Sequence, residues 1–510
     1  MSFIIAEIAS IGWGLPNDKY RTLYNGDEGS TLFSIKKIPP FGIQSVSEQD
    51  EFIINYNPHF GRYVFLIPAA IGRFTGFISS SNDPEFYYKN FGELKNIYIS
   101  FRLLNLLFSI CIILLMYFIG KEIEDKKLGL ILSFITSISP TILIHTGYGT
   151  HNILLVLLLV FQIYFLIRYS KSLQVKYLFF AGIFLGLSFS TKLSSILFIF
   201  LYLQFFIIDI KSNYKNLFNY IIFTFICIIT LFSTSPYYII FIISHLSSFG
   251  QYSTYDLELF KTMLLRTIGT YSWQIGPLVL ITGITGMFLY FTKYKLKDLS
   301  FLVIFFAGFY LLSSFSVLSD DSRIIPSVIP LIVFSGFLLK KINKLTILIL
   351  VLLPTLIISV YVKKYFISDE TRKIASEKII SNANDIKNYS VGFPEEAYTY
   401  FSPEIIQHEI WLKDLKEIEK YGLKNQIDLL IYKENNYDTI INKPYQIVIS
   451  NGHYHVTYNK YHTQATFKDS GYKLNSVFDN TRLIDWLNIP HRLDLYDTKT
   501  EIYSKDDYRQ

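Results

Sequence analysis

The sequence predicts a polytopic α-helical membrane protein of about eleven transmembrane helices, with a small α/β C-terminal domain outside the cytoplasm. Three observations predict it. Of 510 residues, 51% are hydrophobic and 17% charged, with a mean hydropathy of +0.32, too apolar for the surface of a soluble protein of this size. The apolar residues are gathered into runs such as "IYISFRLLNLLFSICIILLMYFIG" (Ile97–Gly120) and "NILLVLLLVFQIYFLI" (Asn152–Ile167). Such runs come close to the ~20 residues a helix needs to cross a bilayer. Finally, Lys and Arg are concentrated in alternate short loops, the signature of cytoplasmic loops.

The segments run approximately 1–15, 97–118, 127–145, 151–168, 177–191, 193–210, 217–243, 273–292, 298–317, 324–339 and 344–362. With a cytoplasmic N-terminus, the inside loops hold Lys121, Lys126 and Lys127; Arg168, Lys171 and Lys176; Lys211 and Lys215; Lys293, Lys295 and Lys297; and Lys340, Lys341 and Lys344. The intervening short loops are nearly free of such charge, so every inside loop agrees with one orientation. The net charge of +6 follows from this pattern, and no basic stripe interleaved with aromatics points to nucleic acid.

The first segment is short for its task. Fifteen residues cover only ~22 Å of a ~30 Å hydrocarbon core, and Glu7 sits in the middle. It is either re-entrant or the end of a longer helix beginning upstream of Met1, and the second is expected. No basic n-region or small-x-small cleavage site marks "MSFIIAEIASIGWGLP" as a cleavable signal peptide. Cys111 and Cys227 lie inside apolar runs and read as small core residues, so the exported parts fold without disulfides.

The expected membrane domain is therefore 1–362, with a long first outer loop at 16–96, followed by an extracytoplasmic domain at 363–510. That tail gains charge and short β-like runs, "IDLLIY" (Ile427–Tyr432) and "YQIVIS" (Tyr445–Ser450), after a helical stretch at Asp369–Ala383.

Polar residues gather at the outer helix ends. Asp27 and Glu28 follow the first segment, His151 opens the fourth and Lys192 ends the fifth, while Asp320, Asp321 and Arg323 join the ninth and tenth. A transporter's ionisable groups belong nearer the bilayer midplane. A carboxylate beside an outer-leaflet cavity can act as general base toward an acceptor hydroxyl or amine, and cations at neighbouring helix ends can hold a leaving phosphate. This is the layout for sugar transfer from a phosphate-linked lipid carrier. Spacing alone leaves structural ion pairs open.

The motifs, in order, are "NGDEGS" (Asn25–Ser30), "NPHFGRYVFLIPAAIGRFTG" (Asn57–Gly76), "FRLLNLLFS" (Phe101–Ser109) leading into "YFIGKEIEDKKLGLI" (Tyr117–Ile131), "SISPTILIHTGYGTHN" (Ser137–Asn152), "AGIFLGLSFSTKLSSIL" (Ala181–Leu197) and "SRIIPSVIPLIVFSG" (Ser322–Gly336). With them the chain resembles glycosyltransferases of the GT-C class, of the type that includes protein O-mannosyltransferases and the aminoarabinose transferases that modify lipid A. The resemblance implies that Asp27 is the catalytic base and that Lys192 and Arg323 hold the carrier phosphate. The family commonly has Asp at the start of the fourth helix, where this chain has His151; a second carboxylate or a metal ligand from that helix is therefore not expected.

Glu28 either positions Asp27 or the acceptor or is a plain solvated loop charge. His59 and Arg62 on the juxtamembrane stretch either line the cavity, with Arg62 a further cation for the phosphate, or act as interfacial anchors. His151, Asp320 and Asp321 complete it, although capping of the tenth segment is the plainer role for the two aspartates. Arg102 reads as a snorkelling helix-end residue, and Trp13 and Trp273 as interfacial belt residues. His453 and His455 have no Cys or acidic partner nearby, so a surface strand is expected there. A divalent metal has no supporting ligand cluster and no cofactor is called for. The expected partners are an isoprenoid phosphate-linked sugar, a protein, lipid or glycan acceptor and membrane lipids, in a plasma (inner) membrane setting with the active site outside. The competing reading from another class is a lipid-linked glycan flippase or transporter.

Overall fold

A computed structural model of the chain describes residues 2–12, 15, 59–79, 86, 90–203, 217–236, 238–239, 242–243, 257–290, 299–314, 324–342 and 344–367, with strands at 391–394, 431–432, 447–451, 473–478 and 500–504. The chain divides into two compact units, the larger ending at Lys364 and the other holding Tyr365–Gln510.

The larger unit is helical. Its elements are α1 (Ser2–Ser10), α2 (His59–Phe74), α3 (Phe91–Ile123), α4 (Lys126–Ser137), α5 (Pro140–Thr146), α6 (Asn152–Ser172), α7 (Val175–Phe189), a 3₁₀ stretch (Leu193–Ile199), α8 (Leu217–Thr234), α9 (Leu257–Ile275), α10 (Pro277–Leu289), α11 (Ser300–Ser314), a 3₁₀ turn (Ile325–Ser327), α12 (Val328–Ile342) and α13 (Leu345–Ile367). Four spans among the described residues are long and apolar enough to cross a membrane: Gly92–Ile123, Asn152–Ser172, Ile325–Ile342 and Leu345–Lys364. Two bent pairs bring the number to six if each is one span.

Burial separates two kinds of apolar helix. In α6, Leu154, Leu155, Val156, Leu157, Leu158 and Leu159 are all buried. A helix apolar all round belongs inside a bundle, and α6 packs against α7 while α12 packs against α10. By contrast, α3 exposes Leu103, Leu107, Leu114 and Phe118, and α13 exposes Ile349, Leu350, Leu353, Ile357 and Val360. Soluble monomers do not expose apolar belts of this extent; lipid covers them. This is an integral membrane protein.

The breaks have local causes. Pro140 opens α5 after Ser139, and the pair α4–α5 bends by 58°. Gly276 takes φ +90°, which only glycine adopts at low cost, and Pro277 starts α10, so α9 and α10 meet at 109°. The segment expected at 273–292 divides at this corner: Trp273–Ile275 end α9 and Pro277 opens α10, while hydropathy continues where the backbone turns. Close packing uses the same residue type. At Gly283 a Cβ would lie 2.8 Å from the Leu331 carbonyl oxygen, so α10 and α12 approach backbone to backbone.

Charges sort to the two ends of the bundle. At one end Arg168 Nη1 lies 2.6 Å from Glu122 Oε1, Lys340 Nζ lies 2.6 Å from Asp125 Oδ2 and 3.0 Å from Glu124 Oε1, and Lys341 Nζ lies 2.8 Å from Glu124. At the other end α1, nine residues long, is held by buried charge: Glu7 Oε1 pairs with Lys363 Nζ at 2.7 Å, and Lys363 also donates to Ser10 Oγ at 3.0 Å. Arg102 Nη1 donates to the Ile11 carbonyl at 2.8 Å and stands over the Tyr148 ring at 5.9 Å. Two sequence expectations change here. Arg102 is 1% exposed and does not snorkel; Trp273 is 1% exposed and sits in the core, not in an interfacial belt. Both misreadings have one cause, since nearness to a helix end does not tell whether the bundle or lipid covers it.

The C-terminal unit contains a five-stranded mixed sheet of order β2-β1-β3-β5-β4, with β1 (Val391–Pro394), β2 (Ile431–Tyr432), β3 (Ile447–Asn451), β4 (Lys473–Phe478) and β5 (Thr500–Ser504). β1 pairs in parallel with β2 and β3, and β5 pairs antiparallel with β3 and β4. β2 falls within the first of the two runs read as β-like, and β3 overlaps the second and extends one residue past it. The helix expected at Asp369–Ala383, with Trp13, His453 and His455, lies outside the described residues.

Candidate active site

The polar face of α3 builds the floor of this end of the bundle. Asn105 Nδ2 donates to the Tyr148 and Thr150 carbonyls, the latter at 2.9 Å, and Ser109 Oγ lies 2.5 Å from Thr146 Oγ1. These bonds fix the short turn between α5 and α6, which the sequence writes as "HTGYGTHN". The turn delivers His145 from the end of α5, and His151 and Asn152 from the start of α6.

Lys192 arrives from the opposite side. It follows α7 in an extended conformation, φ −152° and ψ 136°, just before the 3₁₀ stretch. Its ammonium donates to Asn152 Oδ1 at 2.9 Å, and Asn152 Nδ2 lies 3.4 Å from His145 Nδ1. Asn152 is 7% exposed and His145 3%. His151 packs edge-on against Phe65 of α2, ring centroids 5.3 Å apart. Gly61 lets α2 lie against that imidazole, because a Cβ there would run into the ring. The backbone N–H of Phe60 donates to the Ser190 carbonyl at 2.8 Å, tying the start of α2 to the end of α7.

Of the residues singled out from sequence, His151 and Lys192 are thus brought to one end of the bundle, where the start of α2 packs on His151 and is tied to the end of α7. His59 and Arg62 lie in the first turn of α2, whose start is tied at Phe60 to this same corner. Asp27, Glu28, Asp320, Asp321 and Arg323 lie outside the described residues. Sequence reading missed Asn152 and His145. Asn152 stands beside His151 and opens a run that reads as apolar; His145 closes the apolar segment at 127–145, so neither stands out as polar by hydropathy. No cluster of three or more His, Cys, Asp or Glu suited to a metal occurs among the described residues. With its cation, amide and imidazole, this corner can bind an anion and orient it.

Helix direction places the corner. α6 runs from His151 to Arg168, ~25 Å at 1.5 Å per residue, and Arg168 pairs with Glu122 at the opposite end. The site and the Glu122–Asp125–Lys340 cluster therefore stand a membrane core apart.

Residues 93–239 match the family described as dolichyl-phosphate-mannose-protein mannosyltransferase. The match includes Arg102, Asn105, His145, His151, Asn152 and Lys192; Asp27, Glu28, His59, Arg62, Asp320, Asp321 and Arg323 fall outside it. The likeness to GT-C glycosyltransferases read from the motifs is borne out over this segment. Among solved structures, the apo oligosaccharyltransferase of Archaeoglobus fulgidus aligns at 12% identity and TM-score 0.49, covering 88% of this chain and 69% of that one. ArnT from Cupriavidus metallidurans bound to undecaprenyl phosphate aligns at 9% identity and TM-score 0.49, covering 100% of this chain and 98% of that one. The archaeal AglB in complex with an inhibitory peptide and a dolichol-phosphate aligns at 12% identity and TM-score 0.48, covering 88% and 69%. No curated protein matches the chain.

Proposed function

We propose, from the likeness of residues 93–239 to the dolichyl-phosphate-mannose-protein mannosyltransferases, that this chain is a membrane glycosyltransferase. It takes a hexosyl or pentosyl group from an isoprenoid phosphate (dolichyl or undecaprenyl) and passes it to an acceptor on the outer membrane face. The observation that carries this reading is Lys192, an ammonium held at 2.9 Å by Asn152 at the bundle end remote from the basic loops. A lipid-phosphate headgroup lies at that height, since its isoprenoid chain stays in the leaflet.

Asp27 removes the proton from the acceptor hydroxyl or amine. The freed electron pair attacks the anomeric carbon as its bond to the phosphate oxygen breaks, which inverts that carbon. The leaving isoprenoid phosphate keeps the electron pair, and Lys192 and Arg323, with Arg62, balance its charge. Glu28 steadies Asp27 or the acceptor, and His59, His151, Asp320 and Asp321 line the cavity. About eleven spans place the C-terminal α/β domain, residues 363–510, on the acceptor side of a plasma or inner membrane, where it meets a protein, lipid or glycan acceptor.

Depth also supports an enzyme over a flippase. Among the described residues the buried acidic, basic and imidazole side chains are Glu7, Arg102, His145 and Lys363. Arg102 lies ~31 Å up α3 from Ile123 and Lys363 ~27 Å up α13 from Leu345, so both sit near one interface and away from the midplane where transport sites lie.

The test uses full-length protein in lipid nanodiscs with radiolabelled dolichyl-phosphate mannose and undecaprenyl-phosphate sugars. Mass spectrometry of glycolipids and glycoproteins from cells with and without the gene identifies the acceptor. Release of carrier phosphate with label on an acceptor of opposite anomeric configuration is expected. In liposomes, label that crosses the bilayer while still on its carrier would overturn the reading.

A further inference from the structure

We propose that Asn152 is a positioning residue for Lys192, and that His145 in turn fixes the Asn152 amide; this rests on the reading of Lys192 as the phosphate-binding cation. Three side chains from three elements form one chain of contacts. Lys192 Nζ donates to Asn152 Oδ1 at 2.9 Å, and Asn152 Nδ2 donates to His145 Nδ1 at 3.4 Å. Asn152 and His145 are both buried.

The polarity of the chain has one consistent assignment. An ammonium is donor-only, so the amide must turn its oxygen to Lys192 and its NH₂ to His145. His145 Nδ1 must then offer a lone pair, which puts the ring proton on Nε2. The amide holds the ammonium in place while adding no opposing charge of its own. A carboxylate at position 152 would grip Lys192 as a salt bridge and compete with an incoming phosphate. A phosphate can therefore take Lys192 without displacing an anionic partner on α6. His145 serves this arrangement at one remove: without an acceptor at its Nδ1 position, the amide can rotate and release Lys192. The turn that carries all this is itself pinned by Asn105 to the Tyr148 and Thr150 carbonyls.

The experiment reads Lys192 directly, using the full-length protein in detergent. The rate at which an acylating reagent modifies Lys192 is followed by mass spectrometry, alongside thermal melting, in wild type, Asn152→Ala, Asn152→Asp, His145→Gln and His145→Leu. Losing a hydrogen bond to a charged group changes such a rate by about tenfold. Asn152→Ala and His145→Leu are expected to accelerate acylation by that order, and Asn152→Asp to slow it. His145→Gln, whose side-chain carbonyl can accept from the amide, is expected to restore the wild-type rate. In parallel, fluorescent dolichyl phosphate should bind Asn152→Asp more weakly than wild type. Wild-type acylation rates in Asn152→Ala, or equal behaviour of the Gln and Leu variants, would overturn the positioning roles. Failure of wild-type protein to bind dolichyl or undecaprenyl phosphate would instead sink the functional reading, and the acylation rates would still decide this one.

Discussion

Asp125 serves two elements with one carboxylate: Oδ1 accepts the Leu128 N–H at 2.9 Å and caps α4, while Oδ2 meets Lys340 of α12 at 2.6 Å. The Lys340 hydrogen bond, with the Leu128 N–H, holds the Asp125 carboxyl below its usual range. Partial burial pushes Glu124 up, but hydrogen bonds from Lys341 and Lys340 outweigh it and leave that carboxyl lowered too. Values below the unfolded ones mean that the pairing is fully present above the ordinary carboxylate range of ~4 and fades as pH falls through it. Thermal melting in detergent should therefore drop in acid, as pH falls below about 4. Asp125→Asn keeps the cap and removes the charge, so its melting temperature should fall less in acid than wild type; an equal slope would remove the pair from the account.

Glu7 and Lys363 are both buried and pair at 2.7 Å. Removing one partner leaves a charge stranded, at a cost of about 3–5 kcal/mol, whereas replacing both by apolar residues is close to neutral. Lys363→Met and Glu7→Met should each lower melting sharply, and the double variant should recover most of the loss. Additive losses would show that the pair does not act as a unit.

Gly286 faces the Phe334 carbonyl across the α10–α12 contact, where a Cβ has no room. Gly286→Ala should destabilise by about 1–3 kcal/mol through overpacking. Gly92→Ala, near the start of α3 with open space around it, should be neutral or slightly stabilising. A melting comparison of the two checks the claim.

Asp27→Asn keeps size and hydrogen bonding but removes basicity. Turnover should fall by about 10²–10⁴ while carrier binding persists. Arg323→Ala and Lys192→Ala should lose binding as well as turnover. Wild-type transfer by Asp27→Asn would return Asp27 to the rank of an ordinary loop charge.

Orientation is tested by single cysteines. One placed near Asn435 should react with an impermeant thiol reagent in intact cells, and one near Lys295 should not. The reverse pattern would invert the topology and move the site to the cytoplasmic face.

Hydropathy located the helical blocks because lipid and a tight bundle both demand unbroken apolar runs, as in α6 and α13. It could not see the corner at Gly276, since a turn between two apolar helices changes direction and not composition. Nor could it tell that Arg102 and Trp273 face inward, because burial belongs to the neighbours a helix acquires. At the site, Lys192 and His151 stood out as polar interruptions of apolar sequence. Asn152 escaped because it opens a run that reads as apolar, and its partners lie 7 and 40 residues away.

The ion pair at α1 also imposes an order of events. Ser10 and Lys363, which share that cluster, are 353 residues apart. A ribosome adding ~5–20 residues per second needs on the order of tens of seconds to cover that distance. Throughout that time Glu7 is in or beside the membrane with its partner not yet made. α1 therefore cannot take its native pairing until α13 arrives, and the bundle closes like a clasp. A chain cut short before Lys363 lacks the partner of Glu7 and leaves that carboxylate unmatched in α1.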